Sequence, residues 1–444
     1  MIATIARWSL IFEVFAAPFL LGGARPWALA LLAIPVAIAL LVHMIQALKN
    51  GHDVSPVPFH ALRPFALAFI VAAGWLVFQS LPVWPKIITA PFDGDGIALA
   101  PAHLPDTLLY LLWLAGIPLL CAWQQDPIAN ITPFCKALVA SAVLQAMIAH
   151  ITALTGIPTT LWFIKTAHMG DFTGTFANRN AFCAFVTTGF FACLYLWQHP
   201  PGNIGEKIDR YGGWLAIAIV LFATALGSHS RAGIVALMAG TFIFMLAAAK
   251  KPDDTDPCRR YLLATGILLP MLASLLLAPD MLTRFVELAR PDWLQRDDVW
   301  QSALAAIIQR PLTGYGPNGI APALQFAATP GMNDTVRWVS SHNLWLDMAL
   351  TLGLPVFIIV MMLLITGGAG LIRRASAQAS PPKQGLFLAF LTAFLVQSCF
   401  DGVTGQPAVI LPLLMIAGCL AALPGAATAR QKRAKVKSTA PQQH

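Results

Sequence analysis

Apolar runs long enough to cross a bilayer, separated by polar loops, recur from one end of this chain to the other, and nothing else constrains its fold as strongly. A run of about 20 residues spans the hydrocarbon core as a helix, the one open-ended structure that satisfies its own backbone hydrogen bonds there. Twelve such runs stand out, at residues 8–24, 27–48, 63–80, 106–123, 133–154, 180–198, 213–228, 232–249, 261–278, 343–366, 384–400 and 407–424. The 57% share of hydrophobic residues, against 11% charged, is beyond that of a soluble domain. The expected fold is an all-α polytopic membrane protein of about twelve transmembrane helices. The first run follows Arg7 as a signal sequence would, but Gly22-Gly23-Ala24-Arg25-Pro26 makes a poor cleavage site and a second run follows at once. It reads as a retained span.

Twelve spans leave both termini on one side, and the loops of that side carry 18 of the 28 lysines and arginines. Basic loops stay in the cytoplasm, so both termini are expected there. The formal charge of +8 is thereby assigned to orienting the spans, and no nucleic-acid partner is expected. The seven cysteines show no metal-binding spacing, and none lies in the largest polar loop. Neither disulfides nor a metal site is expected.

That loop divides the chain. Residues 1–278 hold nine expected spans, 279–342 the large far-side loop, 343–424 three more spans and 425–444 a basic cytoplasmic tail suited to anionic lipid. The loop contains Arg284, Arg290, Arg296, Arg310 and Arg337 but no lysine. Residues 297–309 carry apolar side chains at helical spacing, Arg310-Pro311 ends that helix, and 314–319 reads as a turn. Ser340-Ser341-His342-Asn343 then starts a helix at the edge of the next span. Two smaller far-side loops are residues 81–105, which read as an interfacial flap, and 156–178.

Ionisable residues within spans are functional candidates by default. Glu13 and His43 fall at similar depth in adjacent expected helices, where they can pair, and a structural contact is the plainer account. His150 reads as structural too. Asp401, one turn after Gln397, caps an outer helix end on the side of the arginine-rich loop. The tight hairpin Gly227-Ser228-His229-Ser230-Arg231-Ala232-Gly233 plants a guanidinium at that same side, either as a snorkelling cap or as a bidentate anion ligand. His342, where loop becomes span, is either a helix-start residue or a proton acceptor.

Taken together, three stretches resemble the O-antigen ligase and polymerase superfamily of bacterial envelope glycosyltransferases. They are GTFANRNAFCAF at 174–185, SHSRAGIVAL at 228–237, and the pair RDDVWQSALAAIIQRPLTGYGPNG at 296–319 with SHNLWLDMALTLGLP at 341–355. The resemblance implies a helical, GT-C-like membrane fold with a large periplasmic loop, in the bacterial inner membrane. It implies metal-independent, cofactor-free transfer of a glycan from undecaprenyl diphosphate to an acceptor hydroxyl, on a lipid A core sugar, on another glycan or on a protein. By that resemblance His342 is the essential histidine and Asp401 a late-span aspartate that shares its catalytic role. Arg231, Arg296, Arg290 and Arg179 are diphosphate ligands, supported by Asn180, Asn343 and Trp300. The second loop phosphate ligand stays open between Arg284 and Arg290. A polymerase of the same fold, or a polyprenyl-glycan transporter, are the alternatives; a transporter would be expected to show inverted repeats and charges at mid-membrane.

Overall fold

The computed structural model describes residues 2–50, 59–86, 96–165, 167–198, 204–248, 269, 271–272, 291–332 and 337–424. Among these residues the regular structure is helical, apart from one isolated bridge between Thr159 and Ile164. The helices are α1 (Ile2–Phe19), α2 (Pro26–Asn50), α3 (Phe59–Ser80), α4 (Leu104–Ala122), α5 (Ile131–Thr155), α6 (Arg179–Gln198) and α7 (Ile204–Gly227). They continue as α8 (Arg231–Ala248), α9 (Pro291–Gln309), α10 (Ile320–Phe326), α11 (Leu344–Leu352), α12 (Leu354–Gln378), α13 (Pro381–Ser398) and α14 (Pro407–Ala421).

Seven helical segments of the described residues are long and apolar enough to cross a membrane, and two more, Gly212–Gly227 and Pro407–Ala421, are apolar but shorter. The expected span at 261–278 and the tail at 425–444 lie outside the described residues, except for positions 269 and 271–272. Prolines 18, 35, 64, 118 and 412 sit inside helices. Helices packed in a membrane bundle accept such breaks, because neighbouring groups take up the freed carbonyls.

Helix α6 is the axis of the bundle. Every residue from Ala181 to Leu196 is buried, with α5, α7, α8, α13 and α14 packed around it. Small residues allow the close approaches: a Cβ at Gly189 would lie 2.4 Å from that of Ala142, and one at Gly240 would lie 2.3 Å from Phe191. Helices α8 and α13 run antiparallel, with Gly240 against Ala389 and Gly385 against Phe244. That register puts Arg231, the first residue of α8, level with Ser398, the last of α13.

Hydrogen bonds between loops sort the helix ends onto two faces. On one face Thr175 Oγ1 donates to the Pro18 carbonyl, Phe172 N to the Gly227 carbonyl, and Asn180 Nδ2 to Asp401. Tyr110 donates to the Gly405 carbonyl on the same face. On the opposite face Arg374 Nη1 donates to the Leu423 carbonyl at 2.7 Å and Asn130 Nδ2 to Gln124 at 2.6 Å. The polar segment α9–α10 lies over the first face.

The expected span at 343–366 is divided. Gly353, at φ +74° and ψ 157°, separates the nine-residue α11 from α12. A bare break in a helix would strand the last carbonyls of α11. Here the arginine-rich loop and α3 take them up: Tyr315 N donates to Leu350 O, Gly316 N to Thr351 O, Gln79 Nε2 to Thr351 O and Trp75 Nε1 to Leu352 O. Leu354 N in turn donates to the Pro311 carbonyl at 2.7 Å. A Cβ at Gly314 would stand 2.5 Å from Gly353 N, so two glycines make this crossing possible. The described part of the 81–105 loop is tucked below this crossing, Leu99 N donating to the Tyr315 carbonyl.

Glu13 and His43 do not pair. Helix α1 begins at Ile2, which puts Glu13 three turns in, where Oε2 accepts the indole N–H of Trp113 at 3.1 Å. His43 Nδ1 bonds its own helix at Ala39 O (2.9 Å) and its ring lies against Trp123. His150 likewise bonds the Ala146 carbonyl and packs on Phe172.

Candidate active site

The first face gathers residues that are far apart in sequence. His342 lies in the short strap between the polar segment and α11. Its φ of +55° is a left-handed conformation that a residue with a Cβ adopts only when its surroundings hold it there. Trp300, on α9, donates its indole N–H to the Ser341 carbonyl at 2.9 Å. Trp338 meets the imidazole edge-on at 5.6 Å. Asn343 caps α11, its Oδ1 accepting from Trp345 N and Leu346 N, while its Nδ2 donates to the Cys399 carbonyl at 3.1 Å. The strap is therefore tied to α9 on one side and to the end of α13 on the other.

Asp401 sits in the turn between α13 and α14 and is 2% exposed. Its Oδ1 accepts from Val403 N at 3.2 Å and lies 3.6 Å from His342 Nδ1; its Oδ2 accepts the side-chain amide of Asn180. Burial pushes the carboxyl up, but the facing imidazole, the charge of Arg296 and the Asn180 amide more than offset this and hold it below its ordinary value. Arg296 Nη1 also donates to the Phe400 carbonyl at 3.2 Å, one residue before Asp401. Gln397 Nε2 donates to the Asn180 carbonyl at 3.0 Å, closing the ring of contacts between α6 and α13. His342, Asp401, Arg296, Trp300, Asn180 and Asn343 are thus brought to one place.

Arg231 begins α8 on the same face, directly after the hairpin whose Ser230 Oγ accepts from Gly233 N. The helix N-terminus adds a partial positive charge to its guanidinium. Arg179 Nη1 is 2.7 Å from Oδ2 of the buried Asp171, which matches its charge. His229 Nδ1 approaches Oδ1 of the same carboxylate at 2.8 Å, His168 stands 3.8 Å from Oδ2, and Lys165 Nζ donates to the Asp171 carbonyl. Arg290 and Arg284 lie outside the described residues. Arg310, another loop arginine, is 6% exposed and donates to the Ile97 carbonyl.

Sequence reasoning missed Asp171 and Asp347. Neither belongs to a recognisable motif, and Asp171 is separated from its partners by 8 and 58 positions. The signal was present for Asp347: an acid one turn after the Asn343 cap can reach back to the strap that precedes the helix.

An all-helical, multi-pass membrane protein with a histidine, a buried aspartate and arginines gathered at one face of its bundle is the class these observations define. Residues 216–361 match the O-antigen ligase family. Over 186 residues, 39% of the chain, it is 28% identical to the general O-oligosaccharyltransferase of Acinetobacter baylyi, and that match takes in 31% of the relative's length. Both matches are partial: the family match takes in about a third of this chain, and the chain spans less than a third of the length of the relative. Arg231, Arg296, Trp300, His342 and Asn343 fall within the family match; Arg179, Asn180 and Asp401 lie outside it.

Proposed function

We propose that this protein is an inverting, metal-independent glycosyltransferase that moves a glycan from undecaprenyl diphosphate to an acceptor hydroxyl, as an O-antigen ligase does. The reaction takes place at the periplasmic face of a bacterial inner membrane, on the large loop, with both termini cytoplasmic. One observation carries this reading: His342 and Asp401, 59 positions apart, face one another in the membrane-surface loops beside Arg296.

The chemistry follows from the pair. Asp401, held ionised, faces Nδ1 and favours the tautomer with its proton there, leaving Nε2 to accept one. The 3.6 Å separation is longer than a hydrogen bond, and such contacts shorten when substrate fills the site. The acceptor hydroxyl gives its proton to Nε2 as its oxygen bonds the anomeric carbon. The bond from that carbon to the diphosphate oxygen breaks on the opposite side, which inverts the configuration. Arg231 and Arg296 take up the charge on the departing diphosphate, so protonation of the leaving group is dispensable.

The test is glycan transfer by purified protein in detergent, with polyprenyl-diphosphate glycan and an acceptor, in the presence of chelator. Arg231→Lys and Arg296→Lys keep the charge but lose the planar fork. Each is expected to raise the donor KM by roughly 10-fold or more, the scale of one charge-assisted hydrogen bond. Unchanged donor kinetics in both variants would remove diphosphate binding from their roles.

A further inference from the structure

Asp347 is a buried carboxylate on α11, 8% exposed, that the reaction just described does not use. Both of its oxygens are engaged, and neither partner is a basic side chain. Oδ1 accepts from Ser341 N at 2.8 Å and Oδ2 accepts from the Ser340 hydroxyl at 2.6 Å. The same Ser340 oxygen accepts from His342 N at 3.0 Å. The carboxylate thus reaches the backbone of His342 through one intervening hydroxyl.

The turn that carries Asp401 rests on this arrangement as well. A Cβ added at Gly402 would stand 2.8 Å from Ser340 Oγ, closer than real Cβ atoms come, and a tight 3.1 Å from Asp347 Oδ2. The backbone of the Asp401 turn and the Asp347–Ser340 bond are therefore in direct contact. His342 needs such a hold, because its left-handed φ is unfavourable for a residue with a side chain.

We propose that Asp347 is a positioning residue for the His342–Asp401 pair: it clamps the Ser340–Ser341 strap in the conformation that aims the imidazole and provides the bed on which the Asp401 turn lies. This rests on the reading of His342 as the base. Asp347 touches no substrate. It acts through Ser340, Ser341 and Gly402, and it fixes the distance and angle between the base and the group that orients it. A misplacement of about 1 Å in such a constellation costs on the order of 10²-fold in rate.

The experiment is a double-mutant cycle in the full chain in detergent. Asp347→Asn, Asp401→Asn and the pair together are compared for kcat and donor KM in the transfer assay. Asp347→Asn is expected to lower kcat by roughly 10- to 100-fold and leave donor KM within about twofold. In the Asp401→Asn background the same change is expected to cost far less, since the alignment it protects is already lost. Should Asp347→Asn not accumulate as folded protein, Ser340→Ala takes its place, since it breaks the link to His342 N and keeps the carboxylate. Equal losses in both backgrounds, or a loss confined to donor KM, would overturn the positioning role. If His342→Ala and Asp401→Asn both turn over normally, it is instead the reading of the base that falls, and this inference with it.

Discussion

Two buried aspartates stand on the same face of the bundle, each facing histidine, and they are held differently. Asp171 is saturated: Arg179 lies 2.7 Å away, His229 2.8 Å, His168 3.8 Å, and Lys165 bonds its carbonyl. Asp401 accepts from an uncharged amide and a backbone N–H, lies in the field of Arg296, and its histidine stands at 3.6 Å. Both carboxyls lie below their ordinary value against the effect of burial. The bridge between them is local, for consecutive residues at the start of α6 serve the two sites, Arg179 binding Asp171 and Asn180 binding Asp401. A carboxylate matched by a full positive charge is a latch, here joining the 156–178 loop to the α7–α8 hairpin. Asp401, bonded by a neutral amide and a backbone N–H within the field of Arg296, keeps its charge for the histidine it faces.

The sharpest contrast is between the two histidines. His342→Ala is expected to lose about 10²–10⁴ in turnover, the usual worth of a general base, while the protein still folds and binds donor. His342→Gln should not restore it, since an amide does not accept a proton at neutral pH. His229→Ala, by contrast, should keep turnover within about 10-fold and show its effect in thermal stability. If His229→Ala lost as much turnover as His342→Ala at equal fold content, the division between latch and catalytic pair would be wrong.

The two carboxylates separate on pH as well. Because Asp171 is depressed in the folded protein, its contribution to stability is fully present above its unfolded value of about 3.9 and is lost as pH falls through the folded one. Asp171→Asn leaves Arg179 and His229 short of an acceptor and is expected to cost about 1–3 kcal/mol near neutral pH. Its melting temperature should therefore fall below that of the unsubstituted protein at pH 6, and the gap should narrow as pH drops below about 4. A gap of constant width down to pH 3 would show that the Asp171 charge does not stabilise the fold.

Much of this arrangement was legible in the sequence, and the reasons it was not fully so are physical. Apolar run length exposed the helical membrane character, since the bilayer sets that length. The run at 343–366 nonetheless concealed the break at Gly353, because a single glycine adds no polar side chain to an apolar run and the groups that satisfy the break come from residues 75–79 and 311–316. His342 and Arg231 stood out because each lies at a polar-to-apolar boundary, and Arg296 because it opens a recognisable stretch of the polar loop. Arg179 looked like a phosphate ligand on the same grounds, but a lone arginine in a sequence does not reveal the aspartate that neutralises it. Position along the chain showed which residues reach the face; only folding showed which charges there were already matched.

Asn180 offers the finest division between the two sites, because it touches one carboxylate while its neighbour touches the other. Its side-chain amide donates to Asp401 Oδ2, and its backbone carbonyl, which substitution leaves in place, accepts from Gln397. Asn180→Ala removes one neutral donor from a carboxylate that keeps Val403 N and the charge of Arg296, so kcat should fall by no more than about 10-fold. The Arg179–Asp171 pair is untouched, so the melting temperature should stay near that of the unsubstituted protein. Asn180→Asp is the more searching change. It sets a second carboxylate against Asp401 in a buried site, where two like charges cannot both persist and one is driven to take a proton. The loss should then exceed that of the alanine variant and ease as pH rises and ionisation of both is forced. Equal activity of the aspartate and alanine variants across pH 6 to 8 would mean that the charge on Asp401 is not what His342 depends on.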